Sequence, residues 1–276
     1  MNVWIGTSGY SYPDWVGDFY PEGTRPANML PYYCRFFPLV ELNFTFYRPP
    51  TLDTLGRLAD KKPEGFQFVV KLPRTLSHER NPSDLPGFRA AVEELRHRNK
   101  LMGLLCQLPQ STHYEKKAVN WLERLGQELA DFRLAVEFRH RSWFRPRLTE
   151  WMAKQHLDLV AVDVPDLPAL FPRGWVQSGR RAYVRLHSRN AANWYRSEKQ
   201  RYDYNYDDSA LGEWVESLCA AEDRTDEVLF LFNNCFRGQA IENGRRMRVQ
   251  IEERAPEVHL VATPSAQQPW QGSLFG

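Results

Sequence analysis

At 276 residues, with 42% hydrophobic and 25% charged positions, the chain has the make-up of a globular protein able to bury a full core. Its formal charge of +2 is too small to announce a nucleic-acid partner, and no apolar run approaches the ~18 residues of a membrane-spanning helix. Four scattered cysteines, Cys34, Cys106, Cys219 and Cys235, form no C-x-x-C pair. That argues against a zinc ribbon or redox motif and, with no signal-like N-terminus, sets the expectation of a cytoplasmic protein.

In chain order, residues 3–7 read as a strand entering the loop Ser8-Gly9-Tyr10-Ser11-Tyr12-Pro13-Asp14-Trp15. The aromatic residues of that loop either stack on a ligand or cover the end of the fold. A helix over 26–37 must tolerate Pro31. Residues 40–47 alternate polar and apolar, which predicts a strand with Glu41, Asn43 and Thr45 on one face. A short helix over 51–61 precedes a third strand over 66–71, with Lys71 at its end and His78 in the loop beyond. A helix over 86–98 leads to a fourth strand over 101–108 that carries Gln107. Thr112-x-x-Glu115 reads as a capping box opening the next helix.

The fifth strand opens the stretch Ala135-Val136-Glu137-Phe138-Arg139-His140-Arg141-Ser142-Trp143, with Glu137 and Arg139 on one face. A helix over 147–155 follows, then a sixth strand over 157–164 with Asp163 near its end. The seventh strand, 182–187, places Tyr183, Arg185 and His187 on one face. Helix 208–221, an eighth strand over 228–234 that includes Asn233, and helix 240–253 complete the pattern. Eight strands alternating with helices predict an α/β fold of the TIM (β/α)8 barrel type. The rival open sheet would carry a glycine fingerprint after its first strand, and Gly6-Thr7-Ser8-Gly9 is not one. The expected division is a barrel over 1–262 and a flexible tail over 263–276.

In a barrel, strand C-termini converge on one mouth. That gathers Glu41, Asn43, Lys71, Gln107, Glu137, Arg139, Asp163, Arg185, His187 and Asn233. Either they satisfy one another as a polar plug, or they form a ligand site. Lysine and arginine beside the carboxylates would keep both members of a glycosidase pair ionised. One histidine at a strand end supplies too little for a multinuclear metal site, while a single Mg-type ion on carboxylates stays open. Ser8, His187 and Asp163 make a nucleophilic triad on paper, without a nucleophile elbow.

Arginine is concentrated. Positions 173–201 hold seven arginines and Lys199 against Glu198, a local charge of +7, and positions 133–147 hold five arginines against Glu137. Guanidinium forks suit phosphate oxygens, and aromatic faces suit bases or sugars. Tyr10, Trp143, Trp194 and Tyr195 are the stacking candidates. The alternative is a solvated loop paired with acids elsewhere.

Several ordered motifs resemble the YecE-like family, catalogued as domain of unknown function 72. They are Ile5 through Trp15, Val40 through Tyr47, Phe68-Val69-Val70-Lys71-Leu72-Pro73, Gln107-Leu108-Pro109, Val136 through His140 with Ser142-Trp143, Val184-Arg185-Leu186-His187, and Phe232-Asn233-Asn234. The resemblance implies a TIM barrel and leaves the activity open. Likeness of that barrel to endonuclease IV-type enzymes points to DNA, although this sequence lacks their histidine-rich zinc set. Ser188 departs from the glycine expected after His187.

Just before its last residue, Gly276, the tail carries Gln271-Gly272-Ser273-Leu274-Phe275, which resembles the peptide by which bacterial proteins bind the DNA sliding clamp through a glutamine and a Leu-Phe pair. Gly272 departs from that motif.

The expected function is therefore a ligand site for a phosphorylated small molecule or nucleic acid, serving a DNA-related hydrolase or lyase. Glu137 or Asp163 acts as base or Mg ligand, His187 as acid–base, and Lys71, Arg139 and Arg185 hold phosphate. Glu41, Asn43, Gln107 and Asn233 complete the ligand-binding set. A non-catalytic DNA- and clamp-associated protein, or a sugar-modifying enzyme, are the alternatives. No membrane role is expected.

Overall fold

The computed structural model describes residues 1–60 and 63–264. The elements run β1 (Asn2–Ser8), α1 (Pro26–Tyr33), β2 (Leu39–Leu42), α2 (Phe44–Tyr47), α3 (Leu52–Asp60), β3 (Gln67–Lys71), α4 (Arg74–Ser77), α5 (Leu85–His97) and β4 (Leu101–Gln107). There follow α6 (Lys116–Glu128), β5 (Leu134–Glu137), α7 (Leu148–Lys154), β6 (Leu157–Asp163), β7 (Arg181–Leu186), α8 (Glu198–Arg201), α9 (Asp208–Ala220), β8 (Glu227–Phe232), α10 (Gln239–Arg254) and β9 (His259–Leu260).

Strands β1 to β8 pair in parallel and in sequence order, and β1 also pairs with β2, so the sheet closes as the expected TIM barrel. The two-residue β9 pairs with Asn2 and Val3 at the start of β1, below the point where β2 takes up pairing at Gly6. Strands such as β5 and β7 are buried at every residue, because a parallel barrel covers one face with helices and fills the other with side chains. Among the described residues no helix is long and apolar enough to cross a membrane.

Two local expectations give way. The alternating run 40–47 is a strand only to Leu42; Phe44–Tyr47 is a single helical turn. Thr45 Oγ1 donates to the carbonyl oxygens of Leu42 (2.8 Å) and Lys71 (2.6 Å), which ties that turn down onto the end of β3. The capping box does not form either. Arg80 donates to Glu115 Oε1 (3.0 Å) and Thr112 Oγ1 (3.3 Å), so a distant guanidinium takes both side chains.

The parallel registers fix which residues point into the barrel. Ser8 pairs with Glu41, Glu41 with Val69, Lys71 with Leu105, Gln107 with Glu137, and Val162 with Arg185. Paired residues in adjacent strands point to the same side of the sheet. Near the opposite end Arg181 lies by Asp158 (3.4 Å) and Glu227 (3.3 Å). Gly103 makes room for it: a β-carbon there would sit 2.8 Å from the Arg133 carbonyl oxygen and 3.1 Å from an Arg181 terminal nitrogen. Gly103→Ala is expected to destabilise the protein by ~1–3 kcal/mol through overpacking, read as a lower urea midpoint at unchanged slope. An unchanged midpoint would show that the lower layer can yield at little cost.

Candidate functional site

A column of charge stands beneath the mouth. Arg185, from β7, reaches across to β2. Its Nε and a terminal nitrogen donate to Glu41 at 3.0 and 2.6 Å, and the same terminal nitrogen donates to Ser8 Oγ at 3.2 Å. Its other terminal nitrogen donates to Glu137 Oε2. Tyr183, two residues earlier on the same face, donates its hydroxyl to Glu41 Oε2 at 2.7 Å. The other oxygen of Glu137 meets Arg139 Nε, with His187 Nε2 3.3 Å away. His187 Nδ1 lies 2.9 Å from Asn233 Nδ2, whose N–H donates to it. Glu41, Glu137 and His187 have no solvent exposure, and Arg185 has 1%.

Above this column opens a cavity of about 700 Å³. Asn43, Lys71, Gln107, Arg139 and Asn233 line it at the strand ends, and Tyr10, Phe46, Trp194 and Tyr202 are among its aromatic walls. His78, Lys199 and Arg201 complete its basic lining, and Asp14 is its one carboxylate among the described residues. Lys71 Nζ donates to Gln107 Oε1 at 2.8 Å and sits 4.7 Å from the centre of the Phe46 ring. The Oδ1 atom of Asn43 is buried without a hydrogen-bond partner.

Burial and neighbouring charge set the protonation states. Burial, reinforced by Arg185, pushes the Lys71 ammonium down to about 8. Burial, with Arg139 beside it, pushes His187 down to about 3, so its ring is neutral. Burial, with Lys71 nearby, takes His78 down to about 4. Burial alone would raise Glu137, but Arg139 and Arg185 outweigh it and hold the carboxyl well below the usual range. Burial also opposes the charge on Arg185, yet Glu137 and Glu41 hold that guanidinium firmly protonated.

Glu41, Glu137, Arg139, Arg185, His187 and Asn233 therefore come together, as the sequence reading expected, with a changed division of labour. Glu41, Glu137, Arg185 and His187 lie under the floor and pair with one another, with Glu137 Oε1 and His187 Nε2 close but not in hydrogen-bonding geometry, and neither Arg185 nor the two carboxylates front the cavity. Both carboxylates already face guanidinium groups, which leaves them poorly set to hold a Mg-type ion. Among the described residues no three His, Cys, Asp or Glu side chains form a metal-holding group.

Asp163 does not join the group. Its register neighbour is Leu186, one residue out of phase with inward Arg185, so it faces the helix layer. There it accepts from Arg189 (2.8 Å) and Trp214 Nε1 (2.6 Å). Trp143 is no stacking platform. It is fully buried, its ring lies 4.3 Å from that of Phe138, and its Nε1 donates to the Thr112 carbonyl. Tyr195 is exposed and accepts from Gln110 at 3.0 Å, outside the cavity lining. Tyr10 and Trp194 do line it.

The arginine-rich run is not one patch. Arg180 and Arg181 sit at the start of β7, paired to Asp226 and to Asp158 with Glu227; Arg189 is paired to Asp163 and Glu213. From that run only Lys199 and Arg201 join Trp194 in the cavity lining. His78, Phe46, Lys199, Arg201 and Tyr202 were absent from the predicted site. Phe46 was hidden by its strand-like pattern, and the two cations sit on the single turn of α8 with Tyr202 just after it, a turn too short to show periodicity in the sequence. Gln271, Leu274 and Phe275 lie outside the described residues.

Comparison with known proteins places the chain. Residues 4–269 match the family described as "Protein of unknown function DUF72". The UPF0759 protein YunF of Bacillus subtilis is 30% identical over 270 residues, covering 89% of this chain and 93% of that protein. The DUF72 family protein TM1631 of Thermotoga maritima is 36% identical with a TM-score of 0.84, covering 91% of this chain and 100% of that one. A DUF72 family protein of Enterococcus faecalis, EF0366, shares the fold at a TM-score of 0.81 and 24% identity, over 91% and 95% of the two chains. With its closed barrel and its motif residues gathered at one mouth, this chain belongs to the DUF72 family.

Proposed function

We propose that the cavity at the barrel mouth binds a phosphorylated small molecule carrying a ring or sugar, as the substrate site of an enzyme of the hydrolase or lyase type. The observation that carries this reading is the charge of the lining. Lys71, Arg139, Lys199 and Arg201 face it against the carboxylate of Asp14, the one carboxylate in the lining among the described residues, amid aromatic side chains. Arg139 is the key contact. Its Nε is held by Glu137, while no protein group accepts from its terminal nitrogens among the described residues. A guanidinium braced at one edge offers its remaining N–H groups in fixed directions, which suits phosphate. Asn43, Gln107 and Asn233 provide amides to orient the ligand, and Tyr10, Trp194 and Tyr202 provide faces for a ring.

Lys71 and His78 are among the acid–base groups on the cavity wall, with the carboxylate of Asp14. Glu137 and His187 act one layer below, by positioning. Binding of a phosphate monoester is expected to weaken ~10–100-fold in Arg139→Ala, measured by titration calorimetry at fixed salt. Equal binding of the monoester and its uncharged alcohol, or unchanged affinity in the variant, would remove the phosphate reading. Salt dependence separates small ligand from nucleic acid: a single-stranded DNA footprint of several phosphates gives a slope of about −0.7 per phosphate neutralised, whereas one phosphate group gives a shallow slope.

A further inference from the structure

Among the described residues Lys71 and Lys199 are the lysines of the cavity lining, and Lys71 is the one that stands at a strand end beside the buried column. Arg185 and Arg139 are ion-paired to Glu137. Lys71, on the neighbouring floor, has a neutral amide as its hydrogen-bond partner and an aromatic ring on its flank, and no carboxylate within ion-pairing distance among the described residues. A site that needed only fixed charge here would be served by arginine, which keeps its proton in any surroundings. A lysine that is desolvated and set among other cations has a different use, because its free amine is a nucleophile.

We propose that Lys71 is a carbonyl-reactive amine that forms an imine with an aldehyde or ketone on the phosphorylated ligand. This rests on the anion-binding reading above and narrows its substrate to a phosphorylated carbonyl compound and its reaction type to the lyase side. Three features of the surroundings fit. Gln107 Oε1, 2.8 Å from Nζ, takes one N–H and so aims the lone pair of the neutral amine elsewhere. The Phe46 face, 4.7 Å away, stabilises the cation on either side of the reaction. Buried Asn43 Oδ1, lacking a partner, accepts from a hydroxyl formed in the cavity.

The step balances. The Lys71 ammonium first gives a proton to solvent. The Nζ lone pair then attacks the carbonyl carbon, a C–N bond forms, and the C=O π pair becomes an alkoxide that takes a proton from the now positively charged nitrogen through solvent. Solvent returns the first proton to the carbinolamine hydroxyl, which leaves as water while the nitrogen pair closes the C=N bond. The result is one protonated imine and one water from one ammonium and one carbonyl, with no change in oxidation state.

The test uses the whole protein and three probes. Dihydroxyacetone phosphate carries both groups, dihydroxyacetone only the ketone, and glycerol 3-phosphate only the phosphate. Each ketone is incubated with the protein and trapped with borohydride, and the adduct is located by intact mass and peptide mapping; glycerol 3-phosphate is titrated by calorimetry. The expected result is a single adduct of dihydroxyacetone phosphate on Lys71, more than about tenfold over any other lysine, absent from Lys71→Arg of wild-type circular dichroism. Binding of glycerol 3-phosphate without such an adduct overturns the imine and keeps the anion site. Equal trapping of both ketones on Lys71, with no glycerol 3-phosphate binding, keeps the amine and overturns the phosphate reading. Neither binding nor trapping overturns both.

Discussion

Replacing Arg185 by methionine is expected to lower the free energy of unfolding by about 3–5 kcal/mol, the usual cost of removing one partner from a buried ionic group. Arg185 is 1% exposed and is the shared partner of two carboxylates with no exposure at all. Methionine preserves much of the volume, so cavity formation is a minor term. What remains is Glu41, left with Tyr183, and Glu137, left with Arg139 and His187. A carboxylate cannot stay charged in that interior at reduced pairing without a penalty, and protonating it transfers the penalty to the proton equilibrium. In a protein of this length about 2–4 °C of melting temperature follows each kcal/mol, so the midpoint is expected to fall by about 10 °C.

The matching control is the neutral set. Arg185→Met combined with Glu41→Gln and Glu137→Gln removes the stranded charges and is expected to recover a large part of the loss, because whole buried ionic groups are often replaceable at little cost. Urea unfolding of both variants decides the matter. If the single variant stays within about 1 kcal/mol of wild type, the column contributes no more than a neutral filler and cannot be what fixes Arg139 at the cavity. If the triple variant is no better than the single one, the loss belongs to packing.

Why part of this was legible and part was not follows from which property each residue expresses locally. Strand parity carried Glu41, Glu137 and Arg185 to one interior, since a period of two survives any barrel geometry. The same parity argues against Asp163: it alternates with Val160 and Val162, and the register sets Val162 beside Arg185, so Asp163 must face outward. Register is a relation between strands, however, and no single strand states it. Phe44–Tyr47 shows the opposite failure. Its alternation and aromatic content favour a strand, whereas the segment is a helical turn whose Thr45 hydroxyl is shared between the nearby Leu42 carbonyl and, as a tertiary contact, that of Lys71, and Phe46 lies over the lysine. The arginine run misled because density along the chain is not density in space: Arg181 and Arg185 sit four residues apart on one strand and serve separate ionic clusters. Trp143 beside arginines looked like a stacking face, while its partners, Phe138 and the Thr112 carbonyl, make it part of the core.

Acidification from about pH 7 to about pH 4.5 is expected to destabilise the protein by roughly 3 kcal/mol through His187 alone, at about 1.4 kcal/mol per pH unit below its unfolded value near 6.5. The groups facing His187 are Arg139, Glu137, Arg185, Asn233 and the ring of Tyr202, and burial with Arg139 pushes its folded value down to about 3. The folded protein therefore keeps the ring neutral where the unfolded chain has taken up a proton. Between about 6.5 and about 3 the unfolded state binds more protons, so stability rises with pH and is lost as pH falls; above about 6.5 the contribution is complete. His78, held down to about 4, adds a smaller loss of the same sign because it is partly open to the cavity. Glu137, held well below its usual range, adds acid sensitivity only below about 4.5, so the upper part of the window isolates the histidines. Urea midpoints at about pH 7, 6 and 5 read the slope. His187→Gln is expected to be less stable at pH 7 yet flatter with pH, and His78→Gln to flatten the remainder. A wild-type midpoint that does not move across this range would mean that His187 reaches water or takes its proton in the folded state. Glu137 would then share its charge with an imidazolium as well as with Arg139 and Arg185.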